Sequence, residues 1–263
     1  METTDWTPCA VDRSQLDLEG PALQSKWAAL HMGNHEPYPA DEALQNVWRL
    51  YHLGHFADGV AAAETLGDAG LTPLAFCATI HAHYVEQDEK LKADIFGQTI
   101  ALCEQARARG FSSANFHYMY AVTLGRYSQT MTPLEALTDG LVARMKEQID
   151  LCLAIDDRHA EALATLAGWH AAITTESGEM MARMMYGATE EAAIELYEKA
   201  VQCAPDSPVP YIEFAQGLEK LYGAEGAVDR IRANLQKGLG VKPIDAMQQL
   251  DAKHAAALLA NLA

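Results

Sequence analysis

The chain has 263 residues, 49% of them hydrophobic and 8% aromatic, with a formal net charge of −17. This composition can bury a substantial core and excludes a disordered chain, while the acidic balance argues against nucleic acid and anionic membrane surfaces as partners. No apolar run approaches the roughly 20 residues that a membrane-crossing helix needs.

No basic stretch followed by an apolar run stands in residues 1–12, so no secretory signal is expected. The five cysteines (Cys9, Cys77, Cys103, Cys152 and Cys203) are odd in number, widely spaced and without a Cys-x-x-Cys pair. They read as small hydrophobes, and a reducing cytoplasm is the expected compartment. Alanine and leucine outweigh the β-branched residues, which favours helix over strand.

Residues 1–39 form an N-terminal extension with one short helix predicted over 21–32, where proline at the start suits a first turn that needs no N–H. The loop Gly33-Asn34-His35-Glu36-Pro37-Tyr38-Pro39 ends it. From Asp41 onward, apolar-periodic stretches of 13 to 22 residues alternate with short breaks near Gly54, Gly70, Asp88, Gly110, Thr132, Asp156, Gly178, Asp206, Gly223 and Gly240. Helices joined by breaks this short must pack as antiparallel neighbours. Residues 88–110 and 132–155 each read as one long helix. Paired acids at Asp156-Asp157 and Glu190-Glu191 suit helix N-termini. Residues 243–263 read as a C-terminal capping helix, the cover that such arrays need at an exposed end.

The clearest register lies in residues 191–210, EAAIELYEKAVQCAPDSPVP. Small Ala193 is followed by aromatic Tyr197, then Ala200, then Pro205. Small residues let a helix nestle on its neighbour, the aromatic fills the gap, and the proline ends the helix. Tyr211, Phe214, Ala215 and Leu218 continue the frame, and Ala227 stands 34 residues after Ala193. Weaker copies carry Leu50, Gly59 and Ala63, and then Leu163, Leu166, Ala167 and His170. About 14 extra residues against that period lie around residues 174–189, as an insertion before the Ala193 helix.

On these residues the chain resembles the tetratricopeptide-repeat (TPR) superfamily. Residues 116–221, with FHYMYAVTLGRY, KEQIDLCLAID, HAEALATLAGWH and YGATEEAAIELYEKAVQCAPDSP, are similar to the regulator of microtubule dynamics family. They are also similar to the bacterial TPR protein associated with TRAP-type transporters. The resemblance implies an all-α, TPR-like α-α superhelix, a right-handed solenoid of antiparallel helix pairs with long central helices and an insertion. It implies one structural domain: the extension 1–39, a degenerate array over 40–242 and the cap 243–263. No lipidation signal precedes Cys9, and the extra N-terminal segments of the animal relatives have no counterpart, so microtubule binding is not carried over.

The residues offer no recognisable chemistry. His52 and His55 are separated by Gly54, His81 and His83 point apart on a helix, and no zinc or di-iron ligand motif occurs. Neither a nucleophile elbow nor a phosphate loop is present. No catalytic residue, metal or cofactor is therefore expected. The run Met180-Met181-Ala182-Arg183-Met184-Met185-Tyr186 could form an adaptable surface, although packing as a short helix on the array is the preferred reading.

In a TPR stack the first helix of each unit lines the concave face. That places Trp48, Tyr51 and His52, then Asn115, Tyr118 and Arg126, then Gln216 and Glu219 in the groove. For Trp48 and Tyr118, interhelical packing is an equal alternative. Arg126 alone could clamp a C-terminal carboxylate, which disfavours a chaperone-type TPR domain. The expected function is a non-enzymatic bacterial scaffold holding a protein or peptide. The alternative is an accessory protein that binds a small organic ligand, and self-association through the solenoid ends is a further expectation.

Overall fold

The computed structural model describes residues 1–262, apart from the side chains of residues 133, 134 and 137. The last residue of the expected cap, Ala263, lies outside the described residues. The protein is all-α, and no strand occurs among the described residues. None of these helices is long and apolar enough to cross a membrane. Consecutive helices pack on one another in solenoid fashion. They gather into two compact units, one of residues 1–30, 36–155 and 244–247, the other of residues 31–35, 156–243 and 248–262.

The first unit holds α1 (Pro21–Leu30), α2 (Glu42–His52), α3 (Phe56–Glu64), α4 (Leu71–Ile80), α5 (Glu89–Ala108), α6 (Ala114–Ser128), α7 (Pro133–Thr138) and α8 (Leu141–Ile155). Gly54, at φ 72°, makes the left-handed turn between α2 and α3 that a side chain would strain. Every residue of α4 is buried, so it is the helix around which α2, α3, α5 and α6 pack. A helix apolar all round fits only such a central place. Gly59 on α3 lets that helix close on α4, because a Cβ there would lie 2.6 Å from the Cys77 sulfur. Inside α4 and α6, the hydroxyls of Thr79 and Thr123 meet at 2.7 Å, satisfying two buried polar groups together.

After α4 the chain makes one π-helical turn, His81–Val85. Trp6 stacks on His81 with ring centroids 4.2 Å apart. Glu86 closes the turn by accepting from the N–H groups of Thr7, Gln87 and Asp88 and from the Thr7 hydroxyl. Burial raises this carboxyl, but the four donors outweigh it and hold it at about 2.

The second unit contains α9 (Ala160–Ser177), α10 (Glu179–Tyr186), α11 (Glu190–Cys203), α12 (Pro208–Gly226), α13 (Val228–Leu239) and most of α14 (Ala246–Asn261). Helix α9 packs on α10, α11 and α12, and α12 also packs on α11 and α13. Tyr197 of α11 is buried and stacks on Phe214 of α12 at 5.0 Å, the gap-filling place its spacing predicted. Gly217 makes that seat, since a Cβ there would overlap the Tyr197 ring.

Three sequence expectations need correction. The stretch 132–155 is two helices, because Gly140 at φ 67° breaks it between α7 and α8. Helices α2, α3 and α4, of 11, 9 and 10 residues, are shorter than the expected 13. The paired acids stand at helix N-termini, with Glu190 and Glu191 in the first turn of α11, but they are not the caps: His159 caps α9 and Thr189 caps α11, each accepting from an N–H three residues on. The register also shifts between repeats. Ala193 is the fourth residue of α11, whereas Ala227 caps α13 after Gly223 turns the chain at φ 72°.

Candidate functional site

The α2 stripe Val47, Trp48, Tyr51 and His52 follows helical spacing, and all four side chains are buried. Trp48 is at the middle of an aromatic cluster. Its ring lies 5.9 Å from Trp27 of α1, 5.7 Å from Tyr51 and 5.1 Å from Phe76 of α4. Phe76 extends the cluster to Tyr118 of α6 at 6.1 Å, and Tyr38 meets the Trp27 edge at 5.0 Å. The edge-on geometries are those that ring quadrupoles favour.

Polar groups are set into this apolar wall. His52 Nδ1 and Asp245 Oδ2 are 2.8 Å apart and both residues are buried. A carboxylate accepts only, so the pair places a proton on Nδ1. Asn115 donates to the Glu36 carboxyl at 2.6 Å, and the Trp27 indole N–H donates to the Glu36 carbonyl at 2.6 Å. Burial pushes the Glu36 carboxyl up to about 7, and the Asn115 bond offsets only part of that. At neutral pH it therefore exchanges between acid and carboxylate, a donor in one form and an acceptor in the other.

Five of the predicted groove residues (Trp48, Tyr51, His52, Asn115 and Tyr118) thus come together, but as buried residues: Trp48 is 0% and His52 1% exposed. Arg126 is half-buried, two turns beyond Tyr118 on α6. Gln216 and Glu219 belong to α12 in the second unit, where Gln216 reaches His254 at 3.2 Å and Glu219 is exposed. The sequence reading missed Trp27, Glu36, Phe76 and Asp245. Trp27 and Phe76, each on an expected helix, carried a local signal.

Another polar chain was also missed. Ser112 Oγ lies 2.8 Å from His117 Nε2, and His117 Nδ1 lies 2.8 Å from Gln148 Oε1. Burial pushes His117 below its ordinary value, so the neutral ring donates from Nδ1 to Gln148 and accepts the Ser112 hydroxyl at Nε2. Its three bonded residues tie the loop before α6 to α8.

The methionine-rich run behaves differently from the rest of the predicted surface. It forms α10, bounded by Gly178 at φ 79° and Gly187 at φ 67°. Ala182 is buried, and the Ala188 N–H returns to its carbonyl at 3.1 Å to close the helix end. The run does pack as a short helix, but through Ala182 and not through its methionines. Met180, Met181, Met184 and Met185 are 83%, 48%, 71% and 63% exposed. At 100° per residue the four share a wedge of about 140° directed away from Ala182. Unbranched thioethers on an anchored helix make a surface that can adapt to an apolar partner. No protein-family model matches the chain, and no curated protein matches it.

Proposed function

We propose that the chain is a non-enzymatic, TPR-like binding module whose protein partner sits on the methionine face of α10. The observation that carries this reading is the exposure of four large thioethers on one helix, since isolated exposed apolar residues are ordinary and a contiguous set is not. The Ala193–Tyr197–Ala200 register and the seat of Tyr197 against Gly217 support the TPR resemblance. Buried Cys77 and Cys103, with thiols pushed up by burial, suit a reducing cytoplasm. The resemblance to bacterial TPR proteins supports a bacterial scaffold. Partner recovery from the native cell with wild type and with Met180→Ser/Met184→Ser tests the reading. We expect at least one partner lost in the variant while its helical content is unchanged; identical recoveries would refute it.

A second reading rests on Glu36. A carboxyl held near 7 beside Asn115, within an aromatic wall, has the chemistry of a small-organic-ligand site. A thermal-shift panel of metabolites on wild type and Glu36→Gln tests it. Stabilisation of wild type alone would favour this reading, and no shift with any compound would discard it.

A further inference from the structure

We infer that Ser112 is an acyl-acceptor serine, activated by His117 and aligned by Gln148, that takes one acyl group from a thioester. The inference goes beyond the binding module and leaves it standing, because what is modified is the chain itself. Ser112 is exposed, whereas His117 and Gln148 are 3% and 1% exposed. Its Oγ lies 2.8 Å from His117 Nε2, and on the other side of the ring Nδ1 lies 2.8 Å from Gln148 Oε1. A solvent-facing hydroxyl thus meets a base, and the base meets an acceptor that fixes its orientation, the order a nucleophilic serine needs. Other serines are placed differently. Ser25, Ser128 and Ser177 give their hydroxyls to the carbonyls of Ala22, Gly125 and Ile173, which cannot take a proton from them.

The loop that carries Ser112 is held on both sides. Before it, the Phe111 N–H donates to the Ala106 carbonyl at 3.0 Å, and the Phe111 ring meets Phe116 edge-on at 5.1 Å. After it, Ser113 caps α6 by accepting from the Phe116 N–H at 3.2 Å. Helix α6 starts at Ala114, two residues after the serine. The positive end of its dipole favours the negative charge that develops on an attacked carbonyl oxygen.

Gln148 selects the acyl donor. It is neutral, and supports an imidazolium less than a carboxylate would. The reaction therefore needs a leaving group of low basicity. A thiolate, whose thiol has a pKa of about 8.5, leaves far more readily than an amine or an alkoxide. Ser112 Oγ attacks the thioester carbon as its proton passes to His117 Nε2. The carbon–sulfur bond then breaks and the sulfur departs with that proton as a thiol, which returns the ring to its neutral form. The product is an oxygen ester whose leaving group is the serine alkoxide, a much poorer one, so the acyl group stays.

The test uses the full chain with the acetyl thioester of N-acetylcysteamine, read by peptide mass mapping and by the thiol released. We expect one acetyl group on Ser112 and one equivalent of thiol, with no continued release. Ser112→Ala changes an exposed side chain and should abolish both. His117→Gln should slow the acetylation about 100-fold at unchanged circular dichroism. Gln148→Met cannot accept from Nδ1 and should slow it at least ten-fold. Gln148→Glu keeps the acceptor and removes a buried Nε2 that has no hydrogen-bond partner among the described residues, so it should match or exceed wild type. A purely structural Gln148 would not give that order.

Acetyl groups confined to lysines or cysteines, or Ser112 labelled at the same rate in His117→Gln, would overturn the inference. Continuous Ser112-dependent thiol release would overturn the single acylation, and the non-enzymatic reading with it. Met180→Ser/Met184→Ser should acetylate like wild type, so the serine and the methionine face stand or fail separately.

Discussion

His159 caps α9 with a ring nitrogen, and this makes the second unit acid-sensitive in a calculable way. The ring is 0% exposed, and its Nδ1 accepts from the Ala162 N–H at 3.1 Å. Only an unprotonated Nδ1 can accept, so protonation would turn the cap into a donor facing a donor. Burial depresses the imidazole from 6.5 to about 4; Asp156 pulls it upward, and His35 pushes it down. Above pH 6.5 neither the folded nor the unfolded chain holds this proton, and the stability contribution is complete. Below 6.5 the unfolded chain takes up a proton that the folded chain refuses. Stability then falls by about 1.4 kcal/mol per pH unit until the folded ring titrates near 4. The loss amounts to about 3 kcal/mol. His159→Asn keeps a side-chain acceptor and removes the titration. Urea unfolding followed by circular dichroism at pH 7 and pH 4 would compare the two proteins. Other titrating groups are common to both, so wild type should lose about 3 kcal/mol more than the variant. A gap between them that is the same at both pH values would refute the argument.

Four further outcomes can be checked directly. Gly217→Ala should lower stability by about 1–3 kcal/mol, because its Cβ must displace the buried Tyr197 ring. Gly168→Ala meets the Tyr197 hydroxyl only at 3.4 Å and should raise stability by up to about 1 kcal/mol through helix propensity, so thermal melts should shift in opposite directions. Glu36→Gln should be more stable than wild type above pH 7 and gain little near pH 4.5. The raised carboxyl penalises the folded state increasingly as pH climbs between those values, and denaturation at the two pH extremes reads the sign. Glu86→Ala should cost about 3 kcal/mol and raise amide exchange around Thr7, whose N–H and hydroxyl both bond that carboxylate. This carboxyl is depressed, so its contribution is complete above pH 4.5 and is lost as pH falls toward 2.

The helical class, the antiparallel neighbours and nearly all the break points were legible in the residues, because each rests on local physics. Gly54, Gly110 and Gly178 stop helices at φ 72°, 87° and 79°, a freedom that belongs to glycine itself. The spacing of Ala193, Tyr197 and Ala200 likewise foretold a small-residue face with one buried ring. Gly140 carried the same kind of signal, but a continuous apolar period across 132–155 concealed it.

Side-chain exposure and long-range pairing required the tertiary structure. Periodicity placed Trp48, Tyr51 and His52 on one face of α2, but it could not distinguish an open groove from a core. Trp27 and Phe76 fill the space in front of them. His52 meets Asp245 across 193 residues and Asn115 meets Glu36 across 79, and no local pattern encodes either pairing. His159 became a cap once burial made its neutral form the stable one. Glu161 in the same first turn gives its N–H to the Gly33 carbonyl, a partner from a distant loop. The α10 segment shows the division most clearly. Its residues determine a methionine wedge, because 100° per residue groups them on one side. Only packing decided that Ala182 faces inward and the thioethers outward, since burial depends on what the rest of the chain places opposite.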